Sequence, residues 1–337
     1  MNRVVLALSL PLLAVVLTAL WLGMPPAAVE ARFTAADCRR VEVTAQGIGA
    51  LVGIEDIALL PDGRAILSAD DRHAADGARS GLFVADLARL TGGGPVEALP
   101  LAGVAQPLRP HGVAVDASGG WLAYVNRPAP GAAEIVWGRL GPGGFRAEGK
   151  LGGEAYCRAN DLAFVGTDLA VTMDRGDCGV AIADLVPGSR TGRIVGIRTG
   201  AGTAETLHDE LSFPNGIVAD GLDLLVAETR GARVTDLAGG VISLPGGPDN
   251  LTPAPDGWIA AALHPDLLQK ALYLWGIAGR APTRLALIDP PAGTVEVLFD
   301  DPEGRLFSGA TVAAVSGDAV IAGSALDRGL MVCGAGG

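Results

Sequence analysis

The sequence predicts an all-β protein, a six-bladed β-propeller with four-stranded blades. Its 337 residues include 49 Gly and 22 Pro, which separate short runs of Val, Ile, Leu and Ala. Such frequent Gly and Pro residues between apolar runs are typical of short strands rather than long helices. A pattern of polar residues, apolar strand, turn and second apolar strand also returns along the chain. Finally, Arg32 to Gly337 is 306 residues, or 51 for each of six units, and a four-stranded blade needs about 40–45.

The repeated pattern begins six times, at Glu55, His111, Asn160, Asn215, Asp249 and Ala310. The intervals are 56, 49, 55, 34 and 61 residues, and the unit of 34 requires brief loops. Repeats of a few tens of residues with strand–turn–strand content indicate a solenoid or a propeller. We therefore expect one propeller domain over residues 32–337, with the N- and C-terminal segments closing the ring.

Residues 1–31 are predicted to be a signal peptide or an N-terminal anchor. Arg3 precedes an apolar run from Val4 to Leu22, and small residues follow it. A positive start, an apolar stretch and small residues fit a secretory signal, although the run is nearly long enough to span a bilayer. Either alternative predicts an exported protein, periplasmic or extracellular, with membrane attachment through this segment if it is retained.

The charge of the chain bears on its partners. A net charge of −12 and a pI near 4.7 argue against binding to nucleic acid or to an anionic membrane surface. Acidity is compatible with cation binding, and it is also common in soluble proteins with no such role. A small molecule is the expected ligand.

Two segments between the strands are distinctive. The loop from Asp70 to Gly77, which includes His73, is polar and is expected to be a surface connection. Leu267 to Ile277 has apolar residues at near-helical spacing, which predicts a short helix over one face of the ring. That helix is either a wall of a substrate site or an inert packing element.

The four cysteines are expected to form two disulfides. An even number in an exported chain indicates bridges, and four cysteines allow three pairings. Cys38 and Cys333 lie near the two ends of the mature chain, whereas Cys157 and Cys178 flank one repeat. These positions favour the pairings 38–333 and 157–178, the first of which would join the ends of the ring.

The first residues of the repeats are expected to meet in the central channel, because the innermost strand of every blade lines it. Glu55 and Asp249 contribute carboxylates, and Asn160, Asn215 and Asn250 contribute amide oxygens. Such a set suits a hard cation such as Ca²⁺. The second positions, Asp56 and Asp161, could hold another cation deeper in the channel, with a backbone carbonyl near Val113. The alternative is that these groups only hydrogen-bond one another and water.

The ordered motifs resemble those of the paraoxonase/arylesterase family across the mature chain. They are Glu55-Asp56, Pro110-His111-Gly112, Asn160-Asp161, Phe213-Pro214-Asn215-Gly216-Ile217, Asp249-Asn250 and His264-Pro265, with the terminal cysteines. The resemblance implies two calcium ions and hydrolysis of lactones and aryl esters. It implies a catalytic calcium ion bound by Glu55, Asn160, Asn215, Asp249 and Asn250. It also implies a structural calcium ion bound by Asp56, Asp161 and the Val113 carbonyl, with His111 as the catalytic imidazole.

Two positions depart from the family pattern. Arg127 follows Val125-Asn126, where the family has a second histidine, and Arg175 follows Asp174, where it would offer another. The base is therefore predicted to be His111, oriented by a carboxylate, or Asp249 itself. His264 and Arg127 are expected to line the substrate pocket.

The alternatives are a non-catalytic exported calcium-binding propeller that acts in binding, and a gluconolactonase- or strictosidine-synthase-like enzyme. No Gly-x-Ser-x-Gly nucleophile motif and no zinc-type His/Cys spacing occurs in the sequence.

Overall fold

A computed structural model describes residues 26–74, 79–176, 178–179, 188–221 and 223–334. Over these ranges the chain forms six antiparallel blades arranged as a ring, which confirms the predicted six-bladed propeller. Most of the predicted signal peptide or anchor, residues 1–25, lies outside the described residues. Within them, no helix has the length and apolar character needed to cross a membrane.

The strands follow the repeats in order. The chain begins with β1 (Cys38–Val41), β2 (Val43–Ala45) and β3 (Gly49–Ala50). Blade 1 contains β4 (Ile54–Leu59), β5 (Arg64–Ala69), β6 (Gly81–Asp86) and β7 (Val96–Pro100); β2 and β3 extend its outer edge. Blade 2 contains β8 (Pro110–Val115), β9 (Trp121–Ala129), β10 (Ala132–Gly141) and β11 (Gly144–Gly152). Blade 3 contains β12 (Ala159–Val165), β13 (Asp168–Met173), β14 (Gly192–Arg198) and β15 (Thr203–Leu211).

The remaining blades have the same arrangement. Blade 4 contains β16 (Pro214–Asp220), β17 (Asp223–Glu228), β18 (Arg233–Asp236) and β19 (Val241–Ser243). Blade 5 contains β20 (Gly247–Pro253), β21 (Ile259–His264), β22 (Thr283–Asp289) and β23 (Thr294–Asp301). Blade 6 contains β24 (Ala310–Ser316), β25 (Ala319–Ser324) and β26 (Leu330–Cys333), with β1 as its outermost strand.

Helices are few and short. The α-helices among the described residues are α1 (Leu87–Thr91) and α2 (Leu267–Leu274), and the 3₁₀ turns are Ala35–Asp37, Glu154–Tyr156, Thr229–Gly231 and Pro255–Gly257. Helix α2 confirms the predicted helix. It begins after Asp266, whose carboxylate accepts hydrogen bonds from the amides of Leu268 and Gln269 at 2.9 Å, a normal helix cap.

The ring is closed by the two ends of the chain. Strand β1 pairs with β26, so that Cys38 faces Cys333 directly, and these residues form a disulfide. A second disulfide joins Cys157 and Cys178, so the structure contains both expected pairings. Because disulfides persist in oxidising compartments, they indicate an exported protein.

The hydrophobic core is divided among the six interfaces between blades. Side chains alternate between the faces of a strand, so each blade packs one face against the preceding blade and one against the next. For example, Ile57 and Phe83 of blade 1 pack with Ile321 of blade 6, and Val125 of blade 2 packs with Leu162 of blade 3. This packing fixes the innermost strands around the channel.

Candidate active site in the central channel

The six innermost strands, β4, β8, β12, β16, β20 and β24, run in the same direction around the channel. Each contacts the innermost strand of the next blade. Their N-terminal residues therefore gather at one end of the channel, which we call the upper end. Glu55, His111, Asn160, Asn215 and Asp249 are buried there, as the repeat pattern predicts.

Every innermost strand contains a bulge close to its first residue. His111 and Gly112 lie between the paired positions Pro110↔Asn126 and Val113↔Tyr124, so that two residues face Val125 alone. Equivalent bulges contain Asn160-Asp161, Asn215-Gly216 and Asp249-Asn250. In β4 the register shifts at Glu55, and in β24 it shifts at Thr311, one residue after the predicted Ala310. A bulge breaks the strict alternation of side chains. Both residues of each pair can therefore face the channel, at two successive depths.

At the upper level, Glu55 holds His111. The Glu55 Oε2 atom lies 2.7 Å from His111 Nδ1 and also contacts the guanidinium of Arg72. Burial alone would raise the pKa of Glu55, but Arg72 and His111 hold that pKa well below its usual range. Burial and the charge of Arg127 lower the pKa of His111. The pair is therefore a carboxylate beside a neutral imidazole at neutral pH.

On the opposite side of the channel, Asp249 joins two other side chains. Its Oδ2 lies 2.6 Å from His264 Nε2, and its Oδ1 accepts a hydrogen bond from Asn215 Nδ2 at 2.6 Å. The Oδ1 of Asn215 and the Nδ1 of His264 are buried without a hydrogen-bond partner in the described part of the chain. A buried unpaired amide oxygen is costly, and it marks a place where a ligand would be stabilised.

The lower level connects neighbouring blades. Asp56 Oδ2 accepts a hydrogen bond from the Val113 amide at 2.7 Å, and Asp161 Oδ2 accepts one from the Ile217 amide at 3.0 Å. It is thus the amide of Val113 that bonds Asp56 in this structure. A side chain at Gly112 would place its Cβ 2.5 Å from Asp161 Oδ1, so glycine makes room for the carboxylate of the next blade.

Asp56 and Asp161 are carboxylates with little positive charge around them. Burial raises the pKa of Asp56, the charges of Glu55 and Asp249 add to this and its backbone hydrogen bonds oppose it, so that the pKa lies at about 7. Burial and the charge of Asp56 raise the pKa of Asp161 well above its usual range. Below this level the channel widens into a cavity of about 560 Å³ with mostly apolar walls.

Other predicted site residues lie close by. Asn250 Nδ2 donates to the Glu55 carbonyl at 3.0 Å, and Asn160 is buried at the upper level. Arg127 donates from Nε and Nη2 to the Ala159 carbonyl at 3.0 and 2.6 Å, so it lies at the mouth of the channel. All of the channel residues named from the sequence are therefore brought to one place.

Two basic residues of the site were not predicted from the sequence. The loop after β5 was expected to be a surface connection, but Asp70 and Asp71 are buried and Arg72 reaches Glu55. Lys270 of α2 is also buried, and burial lowers its pKa to about 8. Both follow the second strand of a blade at its upper end, which is the signal that could have identified them.

The chemistry of the channel residues bears on the predicted calcium ions. Among the described residues, no three His, Cys, Asp or Glu side chains are arranged as a metal cluster. The channel nevertheless combines the carboxylates of Glu55 and Asp249 with three amide side chains, including the unpaired Asn215 oxygen. Ca²⁺ accepts this mixture of oxygens. The residues present therefore fit a calcium ion by their chemistry.

The fold and site define a six-bladed β-propeller with buried carboxylate–imidazole pairs in its channel. No known family model matches the chain, and no curated protein matches its sequence. Among solved structures, a Bacteroides thetaiotaomicron protein of unknown function is similar with a TM-score of 0.57 and 10% identity over 88% of this chain and 74% of that protein.

Two further structures have the same fold. Regucalcin from Agrobacterium tumefaciens, described as a calcium-binding protein, has a TM-score of 0.50 and 13% identity over 88% of this chain and 96% of its own. A protein provisionally named gluconolactonase has a TM-score of 0.50 and 13% identity over 92% and 97% of the two chains. At these identities the similarity establishes the fold alone, and the paraoxonase/arylesterase assignment stays a prediction.

Proposed function

We propose that this protein is a calcium-dependent hydrolase of carboxylic esters that acts on lactones or aryl esters. The observation that carries the proposal is the pairing of Glu55 with His111 at 2.7 Å, opposite Asp249 and the unpaired oxygen of Asn215. A general base and a set of oxygen ligands thus face each other across the upper end of one channel.

His111 is the proposed general base. A carboxylate at Nδ1 fixes the ring and its tautomer, which leaves Nε2 to accept a proton from water. The lowered pKa of His111, caused first by burial and then by Arg127, keeps the imidazole neutral and able to accept that proton. Arg127 stands where a second histidine was expected, so Glu55 takes over the orienting role.

Asp249 is proposed to be a calcium ligand. Asn215 donates a hydrogen bond to one oxygen of Asp249, and His264 Nε2 lies 2.6 Å from the other oxygen. These two contacts hold the carboxylate in one orientation. In that position it provides charge for a bound calcium ion together with Glu55, while Asn160, Asn215 and Asn250 provide neutral oxygens. Calcium bound at these residues would act as a Lewis acid on the ester carbonyl and stabilise the oxyanion.

Sugar lactones form the second candidate substrate class. The similar structures include a calcium-binding protein and one provisionally named gluconolactonase, which supports calcium and lactone chemistry as a use of this fold. The polar lining of the upper channel also suits a hydroxylated lactone. The exposed apolar residues Trp275 and Ile277 after α2 favour a more apolar substrate instead.

The test is a substrate panel of aliphatic lactones, gluconolactone and phenyl acetate, measured with calcium and with a chelator. We expect hydrolysis that requires calcium. Glu55→Gln should abolish it, and His111→Gln should lower kcat by about 10²–10⁴-fold, the usual contribution of a general base. Glu205→Gln is the control, since Glu205 is exposed and pairs only with exposed Arg198 at 3.1 Å in the described structure.

Two outcomes would contradict the proposal. Full activity of Glu55→Gln in chelator would show that calcium bound at Glu55 is not needed. Calcium binding without hydrolysis of any ester would favour the non-catalytic propeller, in which the ion only stabilises the fold.

A further inference from the structure

Basic side chains surround the upper mouth of the channel. In each blade the second strand is antiparallel to the innermost strand and therefore ends at the upper face. At or shortly after that end stands Arg72 in blade 1, Arg127 in blade 2, Arg175 in blade 3, Arg230 in blade 4 and Lys270 in blade 5. This arrangement is unexpected in a chain whose net charge is −12. We call these five residues the basic arc.

Two members of the arc share one carboxylate. Arg127 Nη2 lies 3.7 Å from Asp174 Oδ2, and Arg175 Nε lies 3.4 Å from Asp174 Oδ1. Asp174 is buried, while the Arg127 and Arg175 side chains are 30% and 22% exposed. One negative charge therefore faces two cations, and positive charge remains on the solvent side.

Two guanidinium groups of the arc contact the same aromatic ring. The Cζ atoms of Arg175 and Arg230 lie 5.5 and 5.0 Å from the centre of the Phe213 ring. Phe213 has a φ of 60°, a left-handed conformation that non-glycine residues rarely adopt. The ring is thus held at the mouth, directly before Pro214 and the channel residue Asn215, with cations on it.

The guanidinium groups retain unused donors. Arg127 donates hydrogen bonds from Nε and Nη2 to the Ala159 carbonyl. Its Nη1 makes no hydrogen bond with the part of the chain that the structure describes. Arg175 uses only Nε on Asp174 among those residues. Guanidinium forks bind planar carboxylates with two parallel hydrogen bonds. The donors of Arg127 lie at the mouth of the channel, because the Ala159 carbonyl that it binds directly precedes the channel residue Asn160.

We propose that Arg127 and Arg175, which share Asp174 at the channel mouth, bind a carboxylate of the substrate. The natural substrate is then an anionic ester or lactone, with the carboxylate on the arc and the ester carbonyl over the channel beside His111. This inference rests on the proposed ester hydrolysis for its reaction. The recognition of the carboxylate is separate, and it is measurable without turnover.

The test compares matched neutral and anionic compounds. Isothermal titration calorimetry gives the affinities of 4-hydroxybenzoate and its methyl ester, and kinetics give kcat/KM for 4-acetoxybenzoate and phenyl acetate. We expect the carboxylate to be preferred by about 10- to 100-fold in both measurements, the effect of a charge-assisted hydrogen bond. Arg175→Gln and Arg127→Gln should each reduce this preference about 10-fold or more.

Arg198→Gln is the matched control, because Arg198 is exposed on blade 3 and pairs with exposed Glu205; it should keep the preference. Arg127 also holds the Ala159 carbonyl, so Arg175→Gln, which removes fewer contacts, keeps the test valid if Arg127→Gln fails to fold. Equal affinity for the acid and its methyl ester, or a preference unchanged in both variants, would overturn the inference.

The two proposals fail in different ways. Hydrolysis of phenyl acetate without any preference for the carboxylate would contradict the role of the basic arc but still support ester hydrolysis. A preference for 4-hydroxybenzoate in binding, with no ester hydrolysed, would support the arc and overturn the proposed reaction.

Discussion

The pKa of Asp56 predicts an unusual dependence of stability on pH. Burial, with Glu55 and Asp249 nearby, raises this pKa from 3.8 to about 7. The folded protein therefore binds the proton of Asp56 more tightly than the unfolded chain does. The sign follows from linkage: the contribution of Asp56 to stability is fully present below pH 3.8, and it falls as the pH rises towards 7.

The size of the effect follows from the difference between the two pKa values. A shift from 3.8 to about 7 corresponds to a loss of about 4 kcal/mol above neutral pH when nothing else neutralises the carboxylate. Asp161, whose pKa is raised as well, acts in the same direction. A calcium ion held by Asp56 and Asp161 would remove this penalty, so its stabilising effect should be present at pH 8 and small at pH 4. The proposed ion at the upper level would act at both pH values, because its ligand Glu55 stays ionised.

The assay is urea unfolding of chelator-treated protein between pH 4 and 8, with wild type compared with Asp56→Asn. Asparagine keeps the shape of the side chain but has no charge to neutralise. The wild type should lose stability relative to the variant as the pH rises, by about 4 kcal/mol. Adding calcium at pH 8 should stabilise the wild type by about 4 kcal/mol more than the variant, because the proposed upper-level ion contributes equally to both proteins. Asp318→Asn, at an exposed turn, is the control for removal of a negative charge.

Two results would refute this reasoning. If the difference between wild type and Asp56→Asn is the same at pH 4 and pH 8, the buried carboxylate carries no penalty. If calcium stabilises Asp56→Asn as strongly as wild type at pH 8, the ion does not bind at the lower level.

Two further predictions concern stability. Replacing Cys38 and Cys333 with alanine should lower the free energy of unfolding by about 5–6 kcal/mol, and replacing Cys157 and Cys178 should lower it by about 3 kcal/mol. The difference arises because the two bridges close loops of very different length, with separations of 295 and 21 residues. Equal losses in equilibrium urea unfolding would contradict this. Lys270→Met should stabilise the protein by up to about 3 kcal/mol at pH 7, because burial lowers the pKa of Lys270 from 10.5 to about 8. The wild type regains this stability as the pH rises from 8 to 10.5, where the lysine is neutral in both the folded and the unfolded state. If urea unfolding at pH 10.5 still shows the variant to be more stable, the reasoning is contradicted.

The repeat pattern was sufficient to predict the ring and the residues that meet in its channel. The positions from Glu55 to Ala310 all lie within the first three residues of an innermost strand, because equivalent residues of a repeat occupy equivalent places in space. The bulges could not be predicted. They depend on how each innermost strand pairs with the second one, as Pro110 and Val113 do with Asn126 and Tyr124, and sequence alone does not report that register.

The inward direction of the side chains in the loop after β5 could not be predicted from the sequence for a similar reason. The segment around Arg72 has the composition of a surface turn, and two of its acidic residues are buried instead. Asp70 is neutralised by Arg109 Nε at 3.1 Å, a residue of the next blade that lies far away in the sequence. Burial of charge in this loop therefore depends on a tertiary partner, and composition carries no information about it.

The adjacent residues Glu55 and Asp56 show how partners decide the chemistry of a carboxylate. Both are buried, at 6% and 4% exposure, so desolvation acts on both in the same direction. Glu55 faces Arg72 and His111, and its pKa falls. Asp56 faces backbone amides and other carboxylates, and its pKa rises. Because a bulge sends the two side chains to different depths, one stays ionised to orient an imidazole, and the other needs a proton or a cation.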